Sequence, residues 1–466
     1  MLRYILAIAA VAAVPAAAQQ LSPAELAQID QLVTRELAAD GVPSASIAIV
    51  RDGRIVLAKA YGKASDTLPA RPELPYQIAS NSKQFTAMAL LLLEDEGKLS
   101  LDDKVAKFIP GITDGDKITI RQLLSHTSGL QDFWPQDYSF EAMSRPTKPQ
   151  GIVEGWAHKP LDFAPGDQWQ YSNTGYVVAG MIAEKVSGEP LMRFLQRRIF
   201  TPLNMTSVID QDDAHGPAFP EGYGRYALGP VRVQAQPARG WLYAAGELSM
   251  SAADLAKWDI ARINRTLVPA DDWEAQETTV KLNNGDDTRY GLGVFVRNGP
   301  PRAITHGGEA VGFLSANNVY PDQRAAVVVL TNTWSSGAYN RIARDIARVV
   351  LQPPTVDFPQ DPVVAAQAAR ARMVYDQLRA GRLDRSLLTK NANYYFTEQA
   401  IADFGSSLGP LGEPSAFEPN GQPVLRGGFV IQGYTVKYPG RTLNLSTFYE
   451  PGENGRIEQF LVSAGE

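Results

Sequence analysis

Two patterns of apolar residues take turns along this chain, one at helical spacing and one in short strand-like runs. Leu26, Ile29, Leu32, Val33 and Leu37 form a single stripe and predict an amphipathic helix over 21–40. Ser46-Ile47-Ala48-Ile49-Val50 and Ile55-Val56-Leu57-Ala58, joined through Arg51-Asp52-Gly53-Arg54, predict a hairpin. Both arms are nearly all apolar, so their sheet is expected to be covered by helices. Phe85, Met88, Ala89 and Leu92 predict a buried helix running from Ser80 to about Glu96. Further helices are expected over 118–124 (capped by Thr119), 177–186 and 252–262. Strands then follow over 291–296, 303–306, 313–320 and 325–331, and a helix over 339–351 closes the set. Strands at both ends with helices between them imply one α/β (α+β) unit. Its sheet is largely antiparallel, given the short turns, and an all-helical subdomain is inserted in the middle.

Past residue 352 the pattern restarts. Residues 353–362 are rich in proline and read as a linker. Residues 363–466 carry helical patterns over 363–381 and 397–404, then strand-like runs over 429–437, 443–449 and 457–463. The expected organisation is therefore a main domain over 19–352, the linker, and a small α+β domain over 363–466. At the N-terminus, Arg3, an apolar run from Tyr4 to Val14 and Ala16-Ala17-Ala18 before Gln19 read as a cleaved secretory signal over 1–18. That run is too short to span a membrane. The chain has 466 residues and no cysteine. A secreted chain without disulfides fits a bacterial periplasm or exterior. A net charge of −6 with no long basic run argues against nucleic-acid binding.

The chemistry begins at Ala79-Ser80-Asn81-Ser82-Lys83. Ser80 and Lys83 are three apart and share a helix face, which brings a hydroxyl within reach of an amine. A serine is a weak nucleophile until a base takes its proton. A lysine serves as that base only if burial or nearby positive charge lowers its pKa. Taken alone, the pair is better explained by an N-cap serine beside a solvated lysine. Two further islands change the balance: Tyr171-Ser172-Asn173 and His306-Gly307-Gly308. A long loop over 131–170 carries Phe133, Trp134, Tyr138, Phe140, Trp156, Phe163 and Trp169, and is expected equally to wall a pocket or to form a satellite core beneath the loop.

In this order and spacing the three islands resemble the serine β-lactamase and penicillin-binding-protein superfamily. The branch is the class C-like one, with D-amino-acid peptidases and family VIII carboxylesterases. Ile78-Ala79, the Leu123-to-Leu130 run, Ala245-Gly246-Glu247-Leu248 and Val311-Gly312-Phe313 support the likeness, which covers about residues 20–352. The resemblance implies a β-lactamase/transpeptidase-like fold and an acyl-enzyme mechanism. In it Ser80 attacks, Lys83 activates, and Tyr171 passes a proton to the leaving group; whether Lys83 or Tyr171 is the base stays open. It also implies that Asn173 orients Lys83 and binds substrate with His306, Gly307 and Gly308. The backbone N–H groups of Ser80 and Glu309 would form the oxyanion hole. No cofactor or metal is called for, the substrate is a small molecule or peptide, and self-association is left open. One departure matters: His306 stands where true β-lactamases carry a lysine that grips a carboxylate. An imidazole is mostly neutral at neutral pH. This favours esters, amides or D-peptides with an uncharged leaving side, and His306 is expected to read carboxylates only as pH falls. Residues 433–463 resemble a cystatin-like α+β cone.

Other readings compete. A binding module that acylates without turnover would keep the same residues, and so would a β-lactamase. Gly405-Ser406-Ser407-Leu408-Gly409 matches the hydrolase elbow Gly-x-Ser-x-Gly, but no histidine follows His306, and it reads as a loop. His126 sits at a helix end and reads as a C-cap contact, while His158 and His215 carry no signal.

Overall fold

The computed structural model describes residues 20–136, 138–225, 229–334, 336–351, 362–426 and 429–464. The leader over 1–18 lies outside them, as does the linker over 353–362 except for its last residue. Contacts divide the chain into two compact units, Met1–Gln352 and Pro353–Glu466.

In the first unit, α1 (Pro23–Asp40) starts where Ser22 and Glu25 form a reciprocal capping box, and it ends at Gly41 in the left-handed conformation. The chain then pairs β1 (Ser44–Arg51) with β2 (Arg54–Gly62). Four more strands complete the sheet: β3 (Phe295–Arg297), β4 (Ala303–Ala310), β5 (Phe313–Tyr320) and β6 (Ala325–Thr331). Its order is β2-β1-β6-β5-β4-β3, antiparallel throughout. Both faces of the middle strands are covered. Ala45, Ile47 and Ile49 join Ile29, Val33, Ile342 and Ile346, from α1 and α5 (Ala338–Val350), in one core. Ala48 and Val50 point the other way, into the larger core with Phe85, Met88, Tyr176 and Trp258. Burial on two faces is why β1 and β6 are nearly continuous apolar runs. The other arm of the hairpin departs from expectation. Among the described residues β2 has one neighbouring strand, and its residues are half-buried or exposed.

The larger core is organised by α2 (Lys83–Asp95), α3 (Asn173–Ser187) and α4 (Ala252–Asn264). Ser172 caps α3 and Ser251 caps α4. The inserted region is not purely helical. Tyr76–Gln77, Leu248–Met250 and Ile209–Asp210 form a small three-stranded sheet beside α2. The strand expected over 291–296 is confined to Phe295–Arg297, whereas β4 runs on through Gly307, Gly308 and Glu309.

The second unit packs α6 (Pro362–Arg379) and shorter helices on a four-stranded antiparallel sheet, around Tyr375, Leu378, Tyr434, Leu445 and Phe460. Its first strand, Ala416–Arg426, was not foreseen, because Pro419, Gly421 and Pro423 argue against a strand. It is tolerated at the sheet edge, with a register irregularity between Asn420 and Val424. Ser406 and Ser407 lie within the helix Glu398–Leu408, not in a loop, and Ser407 Oγ donates back to the Asp403 carbonyl. A serine spent on its own helix backbone has no elbow geometry.

Candidate active site

Ser80 sits on a single 3₁₀ turn, Ala79–Ser82, that leads directly into α2. Ala79 before it has a φ of +49°, a left-handed conformation that costs a non-glycine residue of order 1 kcal/mol or more. This turn aims the Ser80 side chain into a cavity of about 480 Å3. All three islands meet there: Ser80, Tyr171, Asn173, His306, Gly307, Gly308 and Glu309 line the cavity, and Lys83 lies behind Ser80, fully buried.

Lys83 Nζ has three partners: Asn173 Oδ1 at 2.8 Å, the Ala245 carbonyl at 2.7 Å and Ser80 Oγ at 3.0 Å. The first two can only accept, so they take two N–H bonds. In the neutral amine the lone pair is left facing Ser80, whose hydroxyl can donate to it. Burial disfavours the ammonium and brings Lys83 down to about 7, against an opposing pull from Asp132. The Tyr171 phenol lines the same cavity as Ser80, and burial raises its pKa, so it stays protonated. The Lys83 amine also lies 4.9 Å from the Tyr171 ring centre.

The third island supplies an edge rather than a charge. The turn at Val311-Gly312 pairs Ala310 with Phe313, and Gly308 with Ser315. By the alternation of an antiparallel ladder, Gly307 and Glu309 then turn their backbone groups away from β5. β3 reaches only as far as Thr305 along that side, so the edge beside Gly307 and Glu309 is open to the cavity. A Cβ on Gly308 would stand 2.0 Å from the Ile78 carbonyl and 2.2 Å from Ser315 Oγ, which is how closely β4 passes the Ser80 turn. The Glu309 side chain is exposed and accepts from the Trp334 indole at 2.8 Å.

His306 differs from the pH-dependent carboxylate reader expected of it. It is buried, with Nδ1 2.5 Å from the Gly307 carbonyl and Nε2 3.0 Å from the Tyr290 hydroxyl. A carbonyl only accepts, so Nδ1 carries the proton and Nε2 accepts from Tyr290. Burial first, then the nearby Lys83, push its pKa down to about 3. It is a neutral imidazole with both nitrogens engaged. His126 caps a helix with its backbone, as expected: just past Ile120–Leu124 its N–H donates to the Leu123 carbonyl and the Thr127 N–H donates to the Gln122 carbonyl, but its side chain also belongs to the site. It is buried, with φ +61°, its Nδ1 accepts the Ser172 N–H at 3.1 Å, and its ring centre lies 4.1 Å from that of Tyr171.

Asp132 was not foreseen. It lines the cavity and accepts from the Asn173 and Trp134 backbones and from the Asn173 side chain. Its only signal in the sequence is a position two residues beyond the Leu123-to-Leu130 run. The long loop does wall the cavity, through Phe133, Trp134 and Pro135, together with Trp241 and Leu242, and the Phe133 and Trp241 rings lie 6.1 Å apart. Among the described residues no lysine or arginine lines it. Among the described residues, too, no group of three or more histidine, aspartate or glutamate side chains could hold a metal ion, and no helix is long and apolar enough to cross a membrane.

The chain is similar to known proteins. Penicillin-binding protein 4* of Bacillus subtilis is 28% identical over 338 residues, covering 68% of this chain and 74% of that protein. The solved structure of a D-stereospecific amidohydrolase from Streptomyces sp. superposes with a TM-score of 0.59 at 29% identity, covering 68% of this chain and 96% of that one. An octameric penicillin-binding protein homologue from Pyrococcus abyssi shares the fold over 94% of this chain and 99% of its own, with a TM-score of 0.62 at 23% identity. The family model described as Beta-lactamase matches residues 29–352, the stretch that holds every group lining the cavity, and the chain belongs to that family.

Proposed function

We propose that this protein is a secreted serine hydrolase that works through an acyl-enzyme on an ester, an amide or a D-amino-acid peptide. The observation that carries the reading is the environment of Lys83, buried with two carbonyl acceptors and its third position on Ser80 Oγ. Ser80 Oγ attacks the substrate carbonyl carbon while its proton passes to the Lys83 amine, directly or through Tyr171. The C=O bond opens to an oxyanion, which accepts from the N–H groups of Ser80 and Glu309. As the intermediate collapses, the Tyr171 hydroxyl protonates the leaving oxygen or nitrogen and is reprotonated from Lys83. A water then releases the acyl group by the same path. Gly307 leaves the edge of β4 bare, so an extended substrate can lie against it.

Among the described residues the cavity has two carboxylates, Asp132 and Glu309, no cationic side chain, and a neutral His306. A substrate with a carboxylate on its leaving side finds no counter-charge there, which favours neutral esters and amides over β-lactams. The likeness to a D-stereospecific amidohydrolase supports an amide or D-amino-acid substrate. The likeness to a penicillin-binding protein supports a second reading, acylation by penicillin without turnover. A fluorophosphonate and a fluorescent penicillin, each followed by intact-mass analysis, test both, alongside turnover of p-nitrophenyl esters, D-amino-acid amides and nitrocefin. Ser80→Ala is expected to abolish labelling and Ser407→Ala to leave it intact. A label that maps to Ser407, or fluorophosphonate labelling that survives Ser80→Ala, overturns the proposal.

A further inference from the structure

We infer that Asp132 is a positioning residue that decides which end of the Asn173 carboxamide faces Lys83, and thereby which way the proton path runs. This rests on the acyl-enzyme reading above and adds a residue to it. Asp132 Oδ1 accepts the backbone N–H of Asn173 at 3.0 Å and of Trp134 at 3.1 Å, and Oδ2 accepts from Asn173 Nδ2 at 3.2 Å. A carboxylate has acceptors only, so the end of the Asn173 amide that meets it must be the nitrogen. The amide oxygen is thereby turned to Lys83 Nζ, 2.8 Å away.

Lysine alone would not enforce that choice. A neutral amine has two N–H bonds and one lone pair, and either end of an amide can face it. With the oxygen facing it, Asn173 Oδ1 and the Ala245 carbonyl take the two N–H bonds and the lone pair is free for the Ser80 proton. With the amide reversed, Nδ2–H would donate into the lone pair. The freed N–H of Lys83 would then donate to Ser80 Oγ, and the serine would have lost its base. Charge acts at the same place. The titratable groups around Lys83 are Asp132, Tyr171, Tyr176, His126 and His306, and burial holds both histidines neutral and both phenols protonated. Asp132 is the one among them that opposes the effect of burial on Lys83.

The geometry predicts an unusual pattern among variants. In Asp132→Asn the new amide oxygen is claimed by the backbone N–H groups of Asn173 and Trp134, so its nitrogen confronts Asn173 Nδ2. Two donors repel, and Asn173 reverses. In Asn173→Asp two carboxylates confront each other. In the double variant the donor–acceptor pair is rebuilt with the roles exchanged, and the carboxylate introduced at position 173 still accepts from Lys83. The experiment measures kcat, KM and the pH profile on a neutral p-nitrophenyl ester for the wild type, both single variants and the double, together with their melting temperatures. Asp132→Asn is expected to lose about tenfold or more in kcat with KM little changed, and its acid limb should move to lower pH. The double variant should exceed both singles in melting temperature, while the carboxylate now touching Lys83 moves its acid limb to higher pH. An unchanged kcat and pH profile in Asp132→Asn, or a double variant that melts no higher than the worse single, overturns the inference. Should Asp132→Asn not fold, Asn173→Asp against the double variant decides it. The melting temperatures form the same cycle without any reaction, so a failure of wild-type labelling at Ser80 would count against the acyl-enzyme reading and not against this one.

Discussion

The pH dependence of acylation should report the titration of Lys83. A solvated lysine near 10.5 is neutral in roughly 1 molecule of 3000 at pH 7, whereas at about 7 half of the molecules are neutral. The perturbation is pH itself, from about 5 to about 9, with kcat/KM for a neutral ester as the readout. A single-proton acid limb with its midpoint near 7 is expected, so the rate at pH 6 should be about a tenth of the plateau and at pH 5 about a hundredth. The midpoint should fall on warming, because an ammonium ionises with a large heat and a carboxylate with almost none; this separates Lys83 from Asp132. Stability must move with it. The folded pKa lies below the unfolded one, so between about 7 and about 10.5 the unfolded chain holds a proton that the native protein lacks, and stability rises with pH across that window. The ceiling, about 3.5 pH units at 1.36 kcal/mol each, is about 5 kcal/mol. Lys83→Met should abolish labelling and remove that slope from a pH series of urea melts. A profile flat from pH 5 to pH 9, a limb whose midpoint ignores temperature, or a slope that survives Lys83→Met would refute the reasoning.

Three further outcomes are expected. His306 is held near 3, so the ratio of kcat/KM for a neutral substrate to that for its carboxylate-bearing analogue should stay flat from pH 5 to pH 8; a ratio that shifts with a midpoint near 6.5 would show that the imidazole titrates. Gly308→Ala should cost about 1–3 kcal/mol in urea melts and most of the activity, because its Cβ meets the Ile78 carbonyl, while Gly307→Ala, with nothing nearer than 3.7 Å, should keep its stability but lose kcat/KM; equal stabilities would refute the packing argument. We propose that the two contact units fold separately, so a chain ending at residue 352 should label at Ser80 and melt cooperatively by itself, and an insoluble or unlabelled truncation would count against it.

Much of this protein was legible locally. The cap at Thr119, the turn at Asp52-Gly53 and the apolar stripes of α1 and α2 are short-range signals, and their elements lie within a few residues of where the pattern put them. The Ser80–Lys83 spacing is equally local, since residues three apart share a helix face whatever surrounds them. The charge states were not legible. Lys83 is brought to about 7 and His306 to about 3 by enclosure between α2, α3 and β4, and enclosure belongs to segments 90 or more residues apart in the chain. The same is true of Asp132, whose partner Asn173 lies 41 residues on, and of His126, whose Nδ1 finds a backbone N–H 46 residues on. Spacing along a chain determines which side chains share an element. Only the packed structure decides which of them lose water, and desolvation is what frees a lysine to act as a base, keeps a histidine neutral and makes an amide choose its direction.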